Sequence, residues 1–455
     1  MQLLGIDVGT TNTKAVVVAA GRVIATATAP TPTGGADLIA VTGRLVAEVV
    51  RGHRPACVGI ASMAETGVPL DADGEPIGDL VRWHPTRAGE HADRLARDLG
   101  RAELFAATGV RPSGKVPLAV WAQLRAEEPQ RWARMRHWAG AADLIAHALT
   151  GRLVTDHTLA GRTMAYRLPD PGAAVGGSFD PDLLAAVGLH PGQLPEVTGD
   201  VAGRVRVGGP GGLAPGTPVV VAGHDHQVGA WAAGAREPGQ VANSLGTAES
   251  VIRILDQRPE PGAIAAEGMS LVRTPDGHEA LVAGSPAAGA MLDWLADQLQ
   301  GADLTTALST AAHRARGPHA PLALPYLHGR QAPRPDPLAR AVVVGEVADD
   351  GDLACAVVDG LALHARWLTT AQAELAGTAG GAWVVPACWI VRRWRVPLGW
   401  RVMPARWCWE PAGWWTPPGC APRPPPGRAD SGSCRRVSRW RRGPHSSPGT
   451  GRGSA

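Results

Sequence analysis

Two strand–turn–strand segments, each with Gly-Thr at its tip, constrain the fold of this chain more than any other feature. Residues 2–18 alternate β-branched and apolar side chains around a Gly-Thr-Thr turn at residues 9–11. Residues 241–255 repeat this design around Gly-Thr at residues 246–247. A supersecondary unit that recurs in one chain predicts an internally duplicated α/β fold, with two domains around a cleft.

The length of the chain also favours two domains. Its 455 residues exceed the ~250–300 residues at which one hydrophobic core usually stops growing. We predict an N-terminal domain over residues 1–236, a C-terminal domain over residues 237–382 and a separate tail over residues 383–455. The strands predicted between the two hairpins lie at residues 56–62 and 218–222, and helices are predicted at residues 37–50, 227–235, 289–300 and 353–375.

The tail differs in composition from everything before it. It holds nine of the sixteen Trp residues and thirteen Arg but no Lys, and neither the helical nor the strand period persists there. We expect this Trp/Arg/Pro-rich segment to be disordered. Its composition is typical of GC-rich coding DNA read out of frame, so we hypothesise a frameshift near residues 379–383. A genuine basic, disordered tail is the alternative.

Charge and cysteine content restrict the partners and the compartment. Of the 44 basic and 41 acidic side chains the tail holds 13 and 2, which leaves 31 and 39 before it, so a nucleic acid would have to bind the tail alone. No run approaches the ~18 uncharged apolar residues of a membrane helix, and the N-terminus has no export signal. Six irregularly spaced cysteines form no metal or disulfide motif. We expect a cytoplasmic protein with neither a nucleic-acid nor a membrane partner.

The first turn carries the residue types that bind a polyphosphate. Gly9 lets the backbone approach a phosphate closely. The hydroxyl, amide and ammonium donors after it are Thr10, Thr11, Thr13 and Lys14. Asp7, at the end of a buried strand, is placed to hold Mg²⁺ through water, because this hard cation takes oxygen ligands. We therefore predict that the hairpin binds the phosphates of ATP together with Mg²⁺. An ordinary hairpin with a Gly-Thr tip is the alternative.

Further short motifs follow the hairpin in order along most of residues 1–375. They lie at residues 70–76, 83–87, 143–145, 149–151, 223–225, 243–247 and 325–333. In this order and at these spacings they resemble the FGGY carbohydrate kinase family, part of the sugar kinase/Hsp70/actin superfamily. The resemblance implies two actin-like (ribonuclease H-like) ATPase domains around a central cleft. Because the tail replaces elements that the family has after the position of Leu375, the second domain is expected to be incomplete.

The resemblance also implies roles for residues in the cleft. Asp225 matches the family's catalytic base, which takes the proton of the sugar hydroxyl as that oxygen attacks phosphorus. It follows the predicted strand at residues 218–222 and so lies at a sheet's carboxyl edge. A helix N-cap is its alternative role. Gly246 and Thr247 resemble the segment that cradles the γ-phosphate, and a simple hairpin turn is their alternative.

Four residues are expected to face the sugar: Glu65, Trp83, Arg87 and His224. Glu65 stands in a loop where xylulokinases commonly carry Met-His. Trp83 would stack on an apolar sugar face and Arg87 would donate hydrogen bonds, with a core Trp and a surface Arg as the alternatives. His224 and His226 lack a further ligand cluster, so we interpret them as lining the pocket rather than as a metal pair.

These predictions together indicate an enzyme. It would be a xylulokinase-like carbohydrate kinase that transfers the γ-phosphoryl group of ATP, with Mg²⁺, to a hydroxyl of a ketose or polyol. Its expected partner is that small sugar or polyol, and a homodimer is left open. A catalytically inactive kinase remnant is the alternative, because the tail replaces part of the nucleotide side. A chaperone-like ATPase is disfavoured, since it would have no use for Asp225.

Overall fold

The computed structural model describes residues 1–84, 87–246 and 248–378, together with the backbone of residues 382–384. The strands of this described part are β1 (Gln2–Val8), β2 (Asn12–Ala19), β3 (Arg22–Pro30), β4 (Val58–Ser62), β5 (Gly67–Leu70), β6 (His137–Gly140), β7 (Val154–Thr155), β8 (Glu196–Val197), β9 (Gly203–Arg204), β10 (Pro218–His224), β11 (Gln240–Leu245), β12 (Glu249–Ile254), β13 (Ser270–Arg273), β14 (Glu279–Ser285), β15 (Leu322–Leu324), β16 (Val342–Val344) and β17 (Ala382–Val384). Its α-helices are α1 (Gly35–Val49), α2 (Gly89–Asp98), α3 (Arg101–Thr108), α4 (Pro117–Glu127), α5 (Pro129–Arg134), α6 (Ala141–Thr150), α7 (His157–Ala160), α8 (Pro181–Val187), α9 (Asp225–Ala232), α10 (Pro261–Ala266), α11 (Gly289–Gln298), α12 (Leu304–His313) and α13 (Asp350–Leu375).

The first sheet has the strand order β3-β2-β1-β4-β10-β9. Strands β1 to β3 form an antiparallel meander, β4 is parallel to β1, and β10 is parallel to β4. Alternate residues of β1, namely Leu4, Ile6 and Val8, are buried, which leaves Asp7 on the opposite face. The first sheet and the helices packed on it form what we call the N-terminal lobe.

Helix α1 covers the first sheet because its apolar residues recur every three or four positions. Leu38, Leu45 and Val49 are buried in one core with β1 and β4. Helix α6 packs into the same core and ends at Gly151, which takes the left-handed conformation (φ 76°) that helix ends favour and that glycine adopts without strain. The sequence period that predicts a helix at residues 37–50 is therefore the period that buries it.

The second sheet repeats the design of the first, as the paired hairpins predict. Its order is β13-β14-β12-β11-β17, with β11 and β12 antiparallel and β17 parallel to β11. The run β14-β12-β11-β17 thus matches β3-β2-β1-β4 in the first sheet. Helix α13 packs against it, and Gln372 Nε2 donates to the carbonyl of Val251 at 3.0 Å. The second sheet and its helices form the C-terminal lobe, so the duplicated two-domain α/β fold is confirmed.

Several predicted elements differ from the observed ones at their ends. Strand β10 continues through His224, two residues beyond the predicted strand, and α9 begins at Asp225 rather than at Gln227. His224 is the N-cap of α9 and Asp225 its first residue, so the alternative N-cap role of Asp225 is wrong. The boundary predicted between residues 236 and 237 stays a prediction. The tail beyond residue 384, with its expected disorder and the completeness of the second domain, lies outside the described residues.

The two lobes pack together at α3 and the turn that follows it. Phe105 of α3 lies in one buried cluster with Ile264 and Leu271 of the C-terminal lobe. The carbonyl of Gly109 accepts the N–H of Leu271 at 2.9 Å, in a turn where φ is 70° and a Cβ would collide with the Leu271 carbonyl. Among the described helices, none combines the length and the apolar content of a bilayer crossing.

Asp143, in the first turn of α6, is buried, and only one of its two carboxyl oxygens accepts a hydrogen bond within the described residues. Its Oδ2 accepts the N–H of Gly140 at 2.8 Å, whereas Oδ1 has no hydrogen-bond partner in the described part of the chain. Burial raises the pKa of Asp143 from 3.8 to about 7. The folded protein therefore holds a proton at Asp143 that the unfolded chain loses above about pH 4.

We predict that Asp143→Asn flattens the pH dependence of stability. Because the folded-state pKa exceeds the unfolded one, the Asp143 contribution lowers stability as pH rises from about 4 to about 7. Asparagine mimics the protonated acid at every pH, so the variant should gain ~1–3 kcal/mol relative to wild type between pH 5 and pH 8. Urea unfolding at both pH values measures this. An equal pH response in the two proteins would contradict the assignment.

Candidate active site

The carboxyl ends of three parallel strands bring the candidate residues together. Val8 of β1 and His224 of β10 are both aligned with Ser62 of β4 in the register of the sheet. The chain therefore leaves all three strands at one edge, where α/β folds place their binding sites. The segments that leave there begin with Gly9, Met63 and Asp225.

Thr31, just after β3, holds the first hairpin turn in place. Its Oγ1 donates to the carbonyl of Gly9 at 2.7 Å and lies 3.0 Å from Oγ1 of Thr13. Its N–H donates to the carbonyl of Thr11 at 3.0 Å. The Thr13 hydroxyl is thus buried inside the sheet, whereas Thr10 and Thr11 are exposed at the tip. The tip, rather than the Thr13 hydroxyl, is the part of the hairpin that a phosphate can reach.

Asp7 and Lys14 face each other across the hairpin, and Asp225 lies near them. Lys14 Nζ is 3.2 Å from Asp7 Oδ2. Burial raises the pKa of Asp7; Lys14 opposes the rise and the negative charge of Asp225 adds to it. Two carboxylates that repel each other at the mouth of a cleft form a place where a bound cation would be stabilising.

His224 lies beside Asp225. Its Nε2 is 3.3 Å from Asp225 Oδ1, and the same oxygen accepts the N–H of His226 at 2.7 Å. Burial, and then the positive charge of neighbouring groups, lowers the pKa of His224 well below its ordinary value, so the ring is neutral at pH 7. Within the described residues, neither His224 Nδ1 nor Asp225 Oδ2 has a hydrogen-bond partner.

The start of α7, with its N-cap Asp156, clamps the end of β10. Asp156 Oδ1 accepts both the N–H of Thr158 at 2.7 Å and its hydroxyl at 2.5 Å. Thr158 Oγ1 in turn accepts the N–H of His224 at 2.8 Å. A Cβ at Gly223, where φ is 121°, would collide with Thr158 Oγ1 and the Asp156 carboxylate. Glycine is therefore required immediately before the His-Asp pair.

The start of α7 also contacts the C-terminal lobe, through His157. Its Nδ1 lies 3.0 Å from Asp156 Oδ2, and its Nε2 lies 2.9 Å from the carbonyl of Thr274. Burial opposes the charged ring, but the bonds to Asp156 and to the Thr274 carbonyl outweigh burial and raise the pKa of His157. One side chain thus connects the clamp behind the candidate base to the opposite lobe.

A crevice separates α9 from the second hairpin. Its polar lining consists of Asp225 and His226 on one side and Asn243, Ser244 and Ser250 on the other. Hydroxyl and amide groups of the C-terminal lobe therefore face the candidate base directly. Such groups are suited to a polyanion that spans the cleft.

The turn of the second hairpin starts at Gly246, which is exposed. Its carbonyl accepts the N–H of Gly289, the first residue of α11, at 2.9 Å. This bond holds the turn against the start of a helix. Thr247 lies outside the described residues, so its contact with phosphate stays a prediction.

Glu65 occupies the loop after β4 in a left-handed conformation (φ 61°). Its Oε1 lies 2.6 Å from Arg162 Nη2, and its Oε2 lies 3.3 Å from Lys115 Nζ. Burial opposes the ionised acid, but the two cations outweigh burial and hold the pKa of Glu65 below its ordinary value. The predicted sugar residue is thus an anion with both oxygens already engaged.

Trp83 and Arg87 are placed differently from each other. Trp83 is half-buried, and its Nε1 donates to Oγ1 of Thr10 at 3.0 Å, so it braces the tip of the first hairpin. Its backbone N–H donates to Oγ1 of Thr66 at 3.0 Å, in the Glu65 loop. Arg87 is exposed and follows residues 85–86, which lie outside the described part. Sugar contacts from Trp83 and Arg87 stay predictions.

Two arrangements at this edge could hold a metal ion. His224, Asp225 and His226 place three ligand atoms within 4.8 Å of one another. The positive charges that depress the pKa of His224 disfavour a cation at that end. Asp7 and Asp225 offer the oxygen donors that Mg²⁺ prefers. The better candidate for magnesium is therefore the space between the two carboxylates.

Sequence profiles of one protein family match the two halves of the chain. The profile of the N-terminal domain of the FGGY family of carbohydrate kinases matches residues 2–232, and that of its C-terminal domain matches residues 241–381. The first match alone spans half of the chain. The chain belongs to the FGGY family of carbohydrate kinases. The resemblance inferred from the motifs is thus confirmed.

Relatives of this FGGY-family chain carry the names of sugar kinases. It is 33% identical over 273 residues to a xylulose kinase of Streptomyces rubiginosus, a match that covers 56% of this chain and 55% of the relative. It is 24% identical over 378 residues to a gluconokinase of Bacillus subtilis, covering 75% and 71%. The chain therefore spans just over half the length of the xylulose kinase.

Solved structures of FGGY kinases share the fold of this chain. A gluconate kinase from Lactobacillus acidophilus superposes with a TM-score of 0.74 at 20% identity, covering 84% of this chain and 80% of that one. A xylulose kinase from Rhodospirillum rubrum gives a TM-score of 0.73 at 25% identity with the same coverage. These matches extend across both lobes, so the two-domain architecture is that of the FGGY family.

The sequence did not reveal several residues that build this FGGY site. Arg162 bonds to Glu65 from 97 positions away along the chain, and Lys115 comes from a third segment. Thr31 reaches the first hairpin through Gly9, Thr11 and Thr13, and Asp156 acts on β10 through Thr158, whose Oγ1 accepts the N–H of His224. Local patterns carry no signal for such contacts; the only hint was that Lys115 is one of just two Lys in the chain.

We predict that Thr31→Val destabilises the protein, because it removes the hydroxyl that bonds to the Gly9 carbonyl and contacts Thr13. The expected cost is about 1–3 kcal/mol, since a buried acceptor loses its donor. Thr42→Val is the matched control: Thr42 is also buried, but its hydroxyl has no partner in the described chain. This control should be neutral or stabilising. Chemical denaturation measures both; equal effects would show that the Thr31 bonds do not hold the turn.

Proposed function

We propose that this chain transfers the γ-phosphoryl group of ATP to a hydroxyl of a sugar or polyol, with Asp225 as the general base. The observation that carries the proposal is the state of the Asp225 carboxylate. Its Oδ1 accepts the N–H of His226 at 2.7 Å and lies 3.3 Å from His224 Nε2, while Oδ2 has no partner within the described residues. An oriented carboxylate with one oxygen unengaged, at the mouth of an interlobe crevice, suits proton removal from an attacking hydroxyl.

The two hairpins would hold the nucleotide's phosphates. The exposed tip at Thr10 and Thr11, with Lys14 behind it, supplies donors from the N-terminal lobe. Gly246 and Thr247 would supply them from the C-terminal lobe. Phosphoryl transfer demands positioning and charge stabilisation more than covalent participation, which is what backbone turns and hydroxyls provide.

Asp7 would hold Mg²⁺ through water, with Asp225 nearby. The fit rests on chemistry visible here: two oxygen donors whose charges repel, one of them with a raised pKa because of burial. When bound, Mg²⁺ neutralises phosphate charge. Asp7 must be ionised to attract the cation. The ion pair between Lys14 and Asp7, at 3.2 Å, stabilises that ionised form.

The acceptor would bind on the N-terminal side of the crevice. Glu65 and His224 lie there, and Trp83 and Arg87 are the further candidates. His224 Nδ1, which has no partner within the described residues, would bond to a sugar hydroxyl. The names of the relatives, xylulose kinase and gluconokinase, support a carbohydrate acceptor. Within the described part, Cys57 and Cys355 are both free, which fits the expected cytoplasmic setting.

We predict that Asp225→Asn lowers kcat about 10²–10⁴-fold, because asparagine cannot take the proton. Coupled ADP release with ATP, Mg²⁺ and a panel of pentuloses, hexuloses and polyols measures this. Asp200→Asn, at an exposed site, is the matched control and should leave turnover unchanged. Folded wild-type protein with no turnover on any acceptor would support the inactive remnant. ATP hydrolysis independent of sugar would point to a different ATPase.

A further inference from the structure

Glu65 belongs to a buried cluster with an excess of positive charge. It pairs with Arg162 at 2.6 Å and with Lys115 at 3.3 Å, so one acid faces two bases. The side chains of Glu65 and Arg162 are each 8% exposed, and that of Lys115 is 26% exposed. Buried charge that lacks a counter-charge is costly, so a further anion would stabilise a cluster of this composition.

Other buried acids of this lobe do not supply that anion. Asp156 is engaged by His157 and Thr158, and Asp180 by Arg167. Asp143 carries only part of a negative charge near neutral pH, because burial raises its pKa to about 7. Burial lowers the pKa of Lys115, Glu65 opposes this, and the further positive charges of Arg162 and Arg111 add to the fall. The surroundings of Lys115 therefore add positive charge rather than compensate for it.

Two buried polar atoms near the cluster have no partner. Arg162 engages Glu65 through Nη2, but its Nη1 has no hydrogen bond within the described chain. His224 Nδ1 likewise has no partner within the described chain. Orphaned buried atoms of this kind require an explanation, and an unfilled ligand contact is one. Here they are a guanidinium nitrogen and an imidazole nitrogen.

The cluster adjoins the candidate base. After burial and His226, the charges that depress the pKa of His224 are those of Arg162 and Lys115, and His224 contacts Asp225 directly. The Glu65 loop leaves the same sheet edge as Asp225, because β4 and β10 are in register. A ligand bound at the cluster would thus lie beside the reacting hydroxyl.

We propose that the acceptor is a sugar acid, whose carboxylate binds Lys115 and Arg162 while a hydroxyl bonds to His224. The inference rests on the proposed kinase function and narrows its substrate class. Arg162 offers a planar, permanently charged donor, and the partly exposed Lys115 offers a mobile one. Glu65 holds both in place and leaves one positive charge to be matched by the ligand.

Matched acid–polyol pairs test the proposal on the full-length protein. Erythronate and erythritol, ribonate and ribitol, and gluconate and glucitol each differ only at C1, where the acid carries a carboxylate. We expect kcat/KM for at least one acid to exceed that for its polyol by about tenfold or more. The difference should appear mainly as a lower KM for the acid. If only polyols or ketoses were phosphorylated and no acid bound, the inference would be overturned, whereas the kinase function would stand.

Lys115→Gln should lower the acid-to-polyol ratio of kcat/KM about 10–100-fold, since one charged hydrogen bond is lost. Lys115→Arg keeps the charge and should retain most of the preference. Arg152→Gln is the control, because Arg152 is exposed and, within the described residues, its side chain pairs with Glu196; it should change nothing. An unchanged ratio in folded Lys115→Gln would overturn the role of Lys115.

Binding separates this inference from the kinase function itself. Calorimetric titration of the same acids without ATP should show binding that weakens in Lys115→Gln and persists in Asp225→Asn. Acid binding of this kind without any turnover would support the site and refute phosphoryl transfer. Neither binding nor turnover with any acid would overturn the inference.

Discussion

The register of three parallel strands is the constraint on which the rest of this structure depends. Because Val8 and His224 are both aligned with Ser62, the chain leaves β1, β4 and β10 at one edge. A shift of one residue in either pairing would turn Asp7 or His224 to the other face of the sheet. The register is itself fixed by burial, since the alternate residues of each strand fill a single core. The buried side chains within the strands therefore determine which polar residues meet at the edge of the sheet.

Charge is distributed along that edge in a definite order. Asp7 and Asp225 give the side near the hairpin a negative character, which suits a cation with phosphates. Lys115 and Arg162 give the other side a positive character, which suits an anion. The neutral His224 stands between the two regions. This order would separate a metal-bearing nucleotide from the acidic acceptor that we propose.

Local sequence patterns predicted what local interactions determine. The alternation in β1, the Gly-Thr turns and the apolar stripe of α1 each involve residues within a few positions, so their elements are found where they were predicted. The direction of the Thr13 hydroxyl was not foreseen, because it depends on strand parity and on Thr31 from a different strand. The ion pairs of Glu65 were likewise invisible: its partners come from two distant segments, and only the folded chain joins them.

The last described strand shows how little a sheet requires of the residues at its margin. Strand β17 spans Ala382–Val384, at the point where the composition of the chain changes, and it is parallel to β11. Every residue except proline supplies the same main-chain donor and acceptor to such a ladder. Strand pairing therefore places little demand on the identity of the side chains. The change of reading frame that we hypothesise at residues 379–383 would leave this pairing possible until a proline intervened.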